Sequence, residues 1–531
     1  MKKVAQAVWL VLLCACVPKV EAPALQAEGS LAMSLPEMAA ALNAGDVSSA
    51  TLVAGYVKRI DAIDRAGPEL RAVLSVNPLA MQEARNMDRL REEGRLLGPL
   101  HGIPILLKDN IESKDPMATT AGSLALKDNV TGRDAPLVDG LRKAGAIILG
   151  KTNMSEWANF RSESSMSGWS GLGGQVKNPH MLDRNPCGSS SGSAVAVAAS
   201  LVAGAVGTET NGSIICPATV NGIVGFKPTL GLISQQFIVP ISPTQDTAGP
   251  MTKTVAGAAI MLDAMDDAET NYLSGLSVDA LRGKRLGVVR FAVGDDRSLW
   301  PLFEAALLTL QTAGAELVDI EKSYPLPDNF QGLAFTVLLH EFKASLNDYL
   351  ANLAPRLPHR SLADLIAFNR DTERELVLFD QSIFERAVVT ESLTALAYTD
   401  AREKTYVATR NEGIDRYLTE YEVDFLIAPS GIPAPRADPV NGDVWPPFVG
   451  IGWMAAIAGY PHATVPMGTV SRLPVGLSVI GRAGDDAAVL AAAYAYEQAS
   501  GLRVEPDYLP AAEGLVHIES GLARWESMPE M

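Results

Sequence analysis

A single large α/β domain is the fold this sequence predicts, and three observations carry that prediction. Strand-length apolar runs alternate with amphipathic or small-residue helical segments from Leu35 to Ser500. Apolar residues make up 47% of the 531 positions, with 45 glycines and neither an internal repeat nor a low-complexity tract. That profile fits one extensive core and excludes a fibrous or disordered chain, although length alone allows about three domains. The third observation is Cys187–Gly231, CGSSSGSAVAVAASLVAGAVGTETNGSIICPATVNGIVGFKPTLG. Here two Gly/Ser-rich turns bracket a small apolar segment. Glycines let backbone N–H groups converge and serines supply nucleophiles or proton carriers, so the stretch suits a site better than a core.

The elements follow in order. Lys2 and Lys3 precede the apolar run Val4–Val17, which is too short to span a bilayer but fits an export signal. Leu13-Cys14-Ala15-Cys16 is similar to a lipoprotein signal, with Cys16 as the lipidated residue. Residues 1–22 are therefore expected to direct export, to the periplasm or to the cell envelope as a lipoprotein. The main domain is expected over 30–505 and a C-terminal tail over 506–531.

Ser34-Leu-Pro-Glu37 has capping-box spacing and starts a helix. Leu52, Tyr56, Ile60 and Ile63 then fall on one helical face. Pro78–Gly94 reads as a helix capped by Asn77. Gly102–Asn110 is strand-like, Asp134–Ala144 helical and Ala146–Leu149 a buried strand. Ser193–Ala203 is small and apolar all round, as in a helix packed on every side. Arg285–Arg290, Pro301–Gly314 and Glu316–Ile320 make a βαβ unit. Leu326–Tyr421 is more charged and helical, an insertion or cap near a substrate entrance. Asp424–Ala428 is a strand, Pro429–Phe448 a long Pro/Gly-rich loop and Asp485–Ser500 a final helix.

With 44 Lys and Arg against 61 Asp and Glu, the net charge is −17. Basic residues are nowhere clustered with aromatics, so nucleic acid is not an expected partner. Beyond the signal segment only Cys187 and Cys216 remain. Export permits a disulfide between them, but the reading adopted is two buried thiols in a tight core.

Ser213 is the candidate nucleophile. It follows Thr210-Asn211-Gly212, a turn able to aim the backbone N–H groups of Thr210, Asn211, Gly212 and Ser213 at one point as an oxyanion hole. A serine hydroxyl needs a base. None of the six histidines lies in the Gly/Ser stretch, but Lys108 stands in the apolar strand IPILLKDN. Burial disfavours an ammonium, so Lys108 can be neutral and basic near neutral pH, and strand alternation points Asp109 to the opposite face. Composition alone leaves Ser189, Ser190, Ser191 and Ser193 open as its partner. Gly145–Thr152, GAIILGKT, satisfies the phosphate-loop pattern GxxxxGK[ST]. It is rejected because its middle residues read as the strand itself, where a phosphate loop needs a strand before the first glycine and a helix after the last.

The Cys187–Gly231 stretch, with GPLHGIPILLKDNI (Gly98–Ile111), GAIILGKTNMSEWA (Gly145–Ala158), DTAGPMTKTVAGA (Asp246–Ala258), DFLIAPSGIPAP and AGYPHATVPMG, resembles the amidase signature family of serine hydrolases over roughly residues 34–500. The resemblance implies a mixed sheet covered by helices on both faces. It implies a Lys108–Ser189–Ser213 triad, with the acyl-enzyme on Ser213 and Ser189 between lysine and nucleophile through a cis Gly188–Ser189 bond. The family more often carries glycine at Asn211, a substitution expected to survive because asparagine tolerates positive φ. No metal or organic cofactor is implied. Asn153, Glu156 and Gln175 are expected to bind substrate, and Asp246 and Lys253 to form a structural ion pair. GWSGLGGQVKNP…NPCGSSSGS…GTETNGSIICP is similar to the peptide amidase branch, which removes the C-terminal amide of peptides. Ile215 stands where many members have arginine, which disfavours small carboxylated substrates. The expected function is hydrolysis of a small-molecule or peptide amide. The rivals are a glutaminase-type amidotransferase subunit, which the export signal disfavours, and a non-catalytic peptide-binding envelope protein. Oligomeric state is not legible.

Overall fold

The computed structural model describes residues 29–266, 270–447 and 449–522. The segment expected to direct export, with Cys16, and the tail beyond residue 522 lie outside the described residues. Among those described, no helix is long and apolar enough to cross a membrane.

The first helices form where local chemistry dictates. The Glu37 carboxylate accepts from both the N–H (2.8 Å) and the hydroxyl (2.6 Å) of Ser34, which starts α1 (Leu35–Ala44). α2 (Ser49–Arg59) runs into a wider turn at Ile60–Asp64, and Leu52, Tyr56, Ile60 and Ile63 are all buried. β1 (Val73–Val76) leads to α3 (Ala80–Glu92). There Asn77 accepts from Leu79 N–H at 2.9 Å and so starts the helix two residues later than expected.

The core is an 11-stranded mixed sheet flanked by helices. After β1 come β2 (Pro104–Lys108), β3 (Ile147–Thr152), β4 (Gly204–Glu209), β5 (Val224–Lys227) and β6 (Thr247–Thr252). They are followed by β7 (Arg285–Val289), β8 (Glu316–Ile320), β9 (Phe425–Pro429), β10 (His462–Val470) and β11 (Leu473–Ile480). The order across the sheet is β1-β3-β2-β4-β6-β5-β10-β11-β9-β7-β8. β2 runs parallel to both β3 and β4, whereas β4, β6, β5, β10 and β11 are antiparallel to their successors. The predicted βαβ unit is present: β7 and β8 are parallel, joined through a helix at Trp300–Thr312.

Pro136–Lys143 is a helix and Ile147–Thr152 a strand, so the phosphate-loop pattern is a helix-to-strand connection. The small apolar helix spans Ser191–Ala198, all of it buried, and ends earlier than expected because a turn is needed before β4. Gly192 lies where a Cβ would sit 2.3 Å from Asn153 O, so only glycine lets this helix press so close. Leu326–Tyr421 is mostly helical, led by Phe330–Ala351, and has its own apolar core around Phe342, Leu346, Leu350 and Phe384. The described part of the C-terminal segment packs onto the body: Tyr508 N–H donates to Pro179 O (2.9 Å) and Leu182 N–H to Leu509 O (2.7 Å).

Two expectations are corrected. Cys187 and Cys216 form a disulfide rather than two free thiols, their Cα atoms 5.9 Å apart. Asp246 and Lys253 do not pair. Asp246 accepts from Thr210, Ile241 and Ser242, while Lys253 donates to Ala32 O (2.6 Å) and Ser200 Oγ (2.8 Å) on the far side. Each ion finds hydrogen bonds at its own end of β6, so neither needs the other.

Candidate active site

Lys108 is the last residue of β2. Leu107 lies opposite Val206 of β4, which brings Lys108 level with Gly207 and Thr208. Its side chain is fully buried. Nζ makes three contacts: Ser189 Oγ at 2.7 Å, Thr208 Oγ1 at 2.8 Å and Thr208 O at 3.1 Å. A carbonyl oxygen only accepts, and Thr208 Oγ1 already faces Asn110 Nδ2 at 3.0 Å. A neutral amine has two hydrogens and one lone pair. With its hydrogens on the two Thr208 oxygens, the lone pair faces the Ser189 hydroxyl. Burial lowers the Lys108 pKa to about 7, against the opposing pull of Asp246 and Glu209. Asp109, as expected from strand alternation, turns away and accepts from Thr120.

Lys108 also selects among the serines. Ser190 Oγ is bound to Thr208 O (3.0 Å) and Thr208 N–H (3.2 Å). Ser191 Oγ donates to Cys187 O (2.5 Å), and Ser193 Oγ joins Thr152 Oγ1 (2.8 Å) and Val206 O (3.1 Å). Only Ser189 of the four presents its hydroxyl to the lysine. The Gly188–Ser189 bond is cis, as the resemblance implied. A Cβ on residue 188 would meet Ser155 Oγ at 2.1 Å, which explains its glycine.

Ser213 follows β4 and precedes a short helix, Ile215–Val220. Its carbonyl accepts from Ser190 N–H at 3.2 Å, so the two Gly/Ser turns meet. The Ser189 and Ser213 hydroxyls do not hydrogen-bond to each other. The Ser213 turn is held from both sides. Asp246 accepts from Thr210 Oγ1 (2.6 Å), and Glu209 Oε2 accepts from Ile214 N–H (2.8 Å) and Ile215 N–H (3.0 Å). Burial raises the Asp246 pKa to about 6. The N–H groups of Asn211, Gly212 and Ser213 find no acceptor among the described residues, as an oxyanion hole requires. The left-handed residue of this turn is Gly212 (φ +83°), not Asn211, so asparagine at 211 needs no tolerance of positive φ.

A cavity of about 1030 Å³ opens beside these turns, lined by Gly188, Glu209, Asn211, Gly212 and the Cys187–Cys216 disulfide. Its other wall comes from the helical insertion, the long loop and the helix Gly452–Ala458, through Leu326, Phe330, Phe335, Trp445 and Trp453. The expected cap does face the site. Asn153, Glu156 and Gln175 do not line this cavity. Asn153 donates to Arg71 O and Gly174 O, Gln175 to Ser167 O and Val176 O, and Glu156 accepts from Gly171 N–H beside Arg161. Their polar atoms hold loop backbones behind the site, so the substrate-binding assignment gives way to a supporting one. Thr208, Glu209 and Asp246 were missed. Thr208 carried a signal, since it stands immediately before the Glu209–Ser213 turn.

The Amidase family model matches residues 52–490. The chain belongs to the amidase signature family. It is 38% identical over 502 residues to a probable amidase of Arabidopsis thaliana, covering 90% of this chain and 91% of that one. It is 33% identical over 481 residues to a glutamyl-tRNA(Gln) amidotransferase chain of Exiguobacterium sibiricum, covering 86% of this chain and 95% of that one. Among solved structures, the native peptide amidase of Stenotrophomonas maltophilia is similar at 46% identity and a TM-score of 0.85, covering 89% and 98% of the two chains. The protein is thus an amide hydrolase with the single α/β domain of its family.

Proposed function

We propose that this amidase hydrolyses the C-terminal amide of peptides, with Ser213 as nucleophile, Ser189 as proton relay and Lys108 as base. The observation that carries the triad is the buried Lys108 amine, within hydrogen-bond distance of Ser189 Oγ and of both Thr208 oxygens, so that a neutral amine can give its hydrogens to Thr208 and turn its lone pair to Ser189. Lys108 Nζ takes the Ser189 proton, Ser189 Oγ takes that of Ser213, and Ser213 Oγ attacks the amide carbonyl carbon. Catalytic hydrogen bonds often close only when substrate is seated, and the Ser213-to-Ser189 contact is one of these. The N–H groups of Asn211–Ser213 receive the oxyanion. The proton passes from Lys108 through Ser189 to the nitrogen as the C–N bond breaks. Ammonia leaves, and water attacks the ester to give the acid.

The peptide-amide substrate rests on the peptide amidase similarity and on a cavity large and apolar enough for several residues. Export, with Cys16 as a lipid anchor, belongs to the same reading; the disulfide supports an oxidising compartment. Incubating the protein with peptide amides, fatty amides and aryl amides, and measuring ammonia or amine, tests the substrate. Peptide amides are expected to give the highest kcat/KM, and Ser213→Ala to abolish it. Release of ammonia from glutamine only with a partner protein present would favour the amidotransferase reading instead.

A further inference from the structure

The charge of the cavity is one-sided. Its described lining has no Lys, Arg or His; the ionisable side chains there are Glu209 and Asp443. Each is anchored by one oxygen and leaves the other open. Glu209 Oε2 takes two backbone N–H groups, while its buried Oε1 has no hydrogen-bond partner. Asp443 Oδ1 accepts from Ser167 N–H at 2.9 Å and Asn185 Nδ2 at 2.7 Å, which fixes this half-buried carboxylate to the wall. Its Oδ2 bonds to no described residue.

A carboxylate facing a largely apolar cavity loses solvation unless a cation or donors meet it. The wall supplies no cation to the two remaining oxygens, so a cation on the ligand would meet them without a competitor. The net charge of −17 adds a field that gathers cations and repels anions.

We infer that Asp443 is a specificity-determining residue that pairs with a cationic group on the acyl side of the substrate, a free amino terminus or a basic side chain. Amides carrying positive charge are preferred over neutral and acidic ones. This rests on the peptide-amide reading and deepens it. The same wall favours product departure, because hydrolysis creates a carboxylate where no cation holds it.

The test uses matched tripeptide amides differing only in charge: free against acetylated amino terminus, and lysine against norleucine side chains. In the wild-type protein one of these pairs should show a preference for the cation of about tenfold or more in kcat/KM, mostly through KM, as befits a partly desolvated ion pair. The two arms tell amino terminus from side chain. Asp443→Asn keeps an acceptor for Ser167 and Asn185, and should bring the ratio close to one. A wild-type ratio of one, or an unchanged ratio in Asp443→Asn, overturns the inference. So does a preference that survives in Asp443→Asn and fades with added salt, since the overall field then carries it. Absence of ammonia from every peptide amide overturns the parent reading and this one with it. Equal release from both charges overturns this one alone.

Discussion

Two lysines on neighbouring strands sit at nearly the same level of the sheet. Lys108 ends β2 and Lys151 lies in β3, with Leu107 opposite Lys151. Both are fully buried, and burial lowers both pKa values. Their surroundings differ. Lys108 meets the Ser189 hydroxyl and the two Thr208 oxygens, with Asp246 and Glu209 as the opposing charges. Lys151 donates to Ile111 O and Thr119 Oγ1 and faces Asp109, Asp115, Glu112 and Asp134. Equal burial therefore does not make equal chemistry. Four carboxylates favour the cationic form of one lysine against the burial that lowers its pKa, and its hydrogen bonds support loops. Acceptors without full charge leave the other free to change its protonation.

The largest expected effect separates the two. Lys108→Ala should lower kcat/KM by about a thousandfold or more, because the base is gone, with the protein still folded. Lys151→Met should instead cost about 3–5 kcal/mol in urea unfolding, since Asp109 loses its buried counter-charge. A folded Lys151→Met protein without activity would break the comparison. Deleting the Cys187–Cys216 disulfide as a double alanine variant comes next, at about 2–4 kcal/mol for the loop it closes, measured the same way. Thr208→Val should lower kcat by about tenfold, the scale of a lost hydrogen bond to a charged group. It removes an acceptor that favours the ammonium form, so the Lys108 pKa should move down.

The pH profile sharpens the contrast further. As the proposed base, Lys108 must be neutral to accept a proton, and burial lowers its pKa to about 7. Activity should rise with pH up to about 7 and level off above it. Stability follows the same sign. Between the folded value of about 7 and the ordinary lysine value of 10.5, the unfolded chain binds more protons at this site, so the Lys108 contribution to stability grows with pH across that window. Glu156→Gln should have the smallest effect on turnover. Burial raises the Glu156 pKa well above the usual carboxylate range, and the side chain lies outside the cavity, so the change touches no reacting group.

Much of this was legible from short-range pattern. The helix starts at Ser34 and Asn77, the strand that buries Lys108 and the βαβ unit all follow from spacing and caps. The two Gly/Ser turns are visible as turns, but choosing Ser189 among four serines took the family resemblance. The structure explains the choice through Thr208, which binds Ser190 as well as Lys108. Features made by distant segments stayed hidden. The disulfide depends on the 187 and 216 turns meeting. Asn153, Glu156 and Gln175 look like site residues because polar groups near a signature often are. Here their amides and carboxylate satisfy loop backbones that strands cannot, a demand no local pattern displays. Asp443 gave no signal, since it lies in a Pro/Gly-rich loop whose place on the cavity wall appears only in the fold.

The central claim is that acyl transfer passes through the Ser213 hydroxyl. Quenching the wild-type protein in acid during turnover of a peptide amide, then digesting it and mapping the acyl group by mass spectrometry, tests it most directly. The adduct is expected on Ser213, and absent from Ser213→Ala and Lys108→Ala. An acyl group on Ser189 or Ser191, or an adduct that persists in Ser213→Ala, would contradict the account.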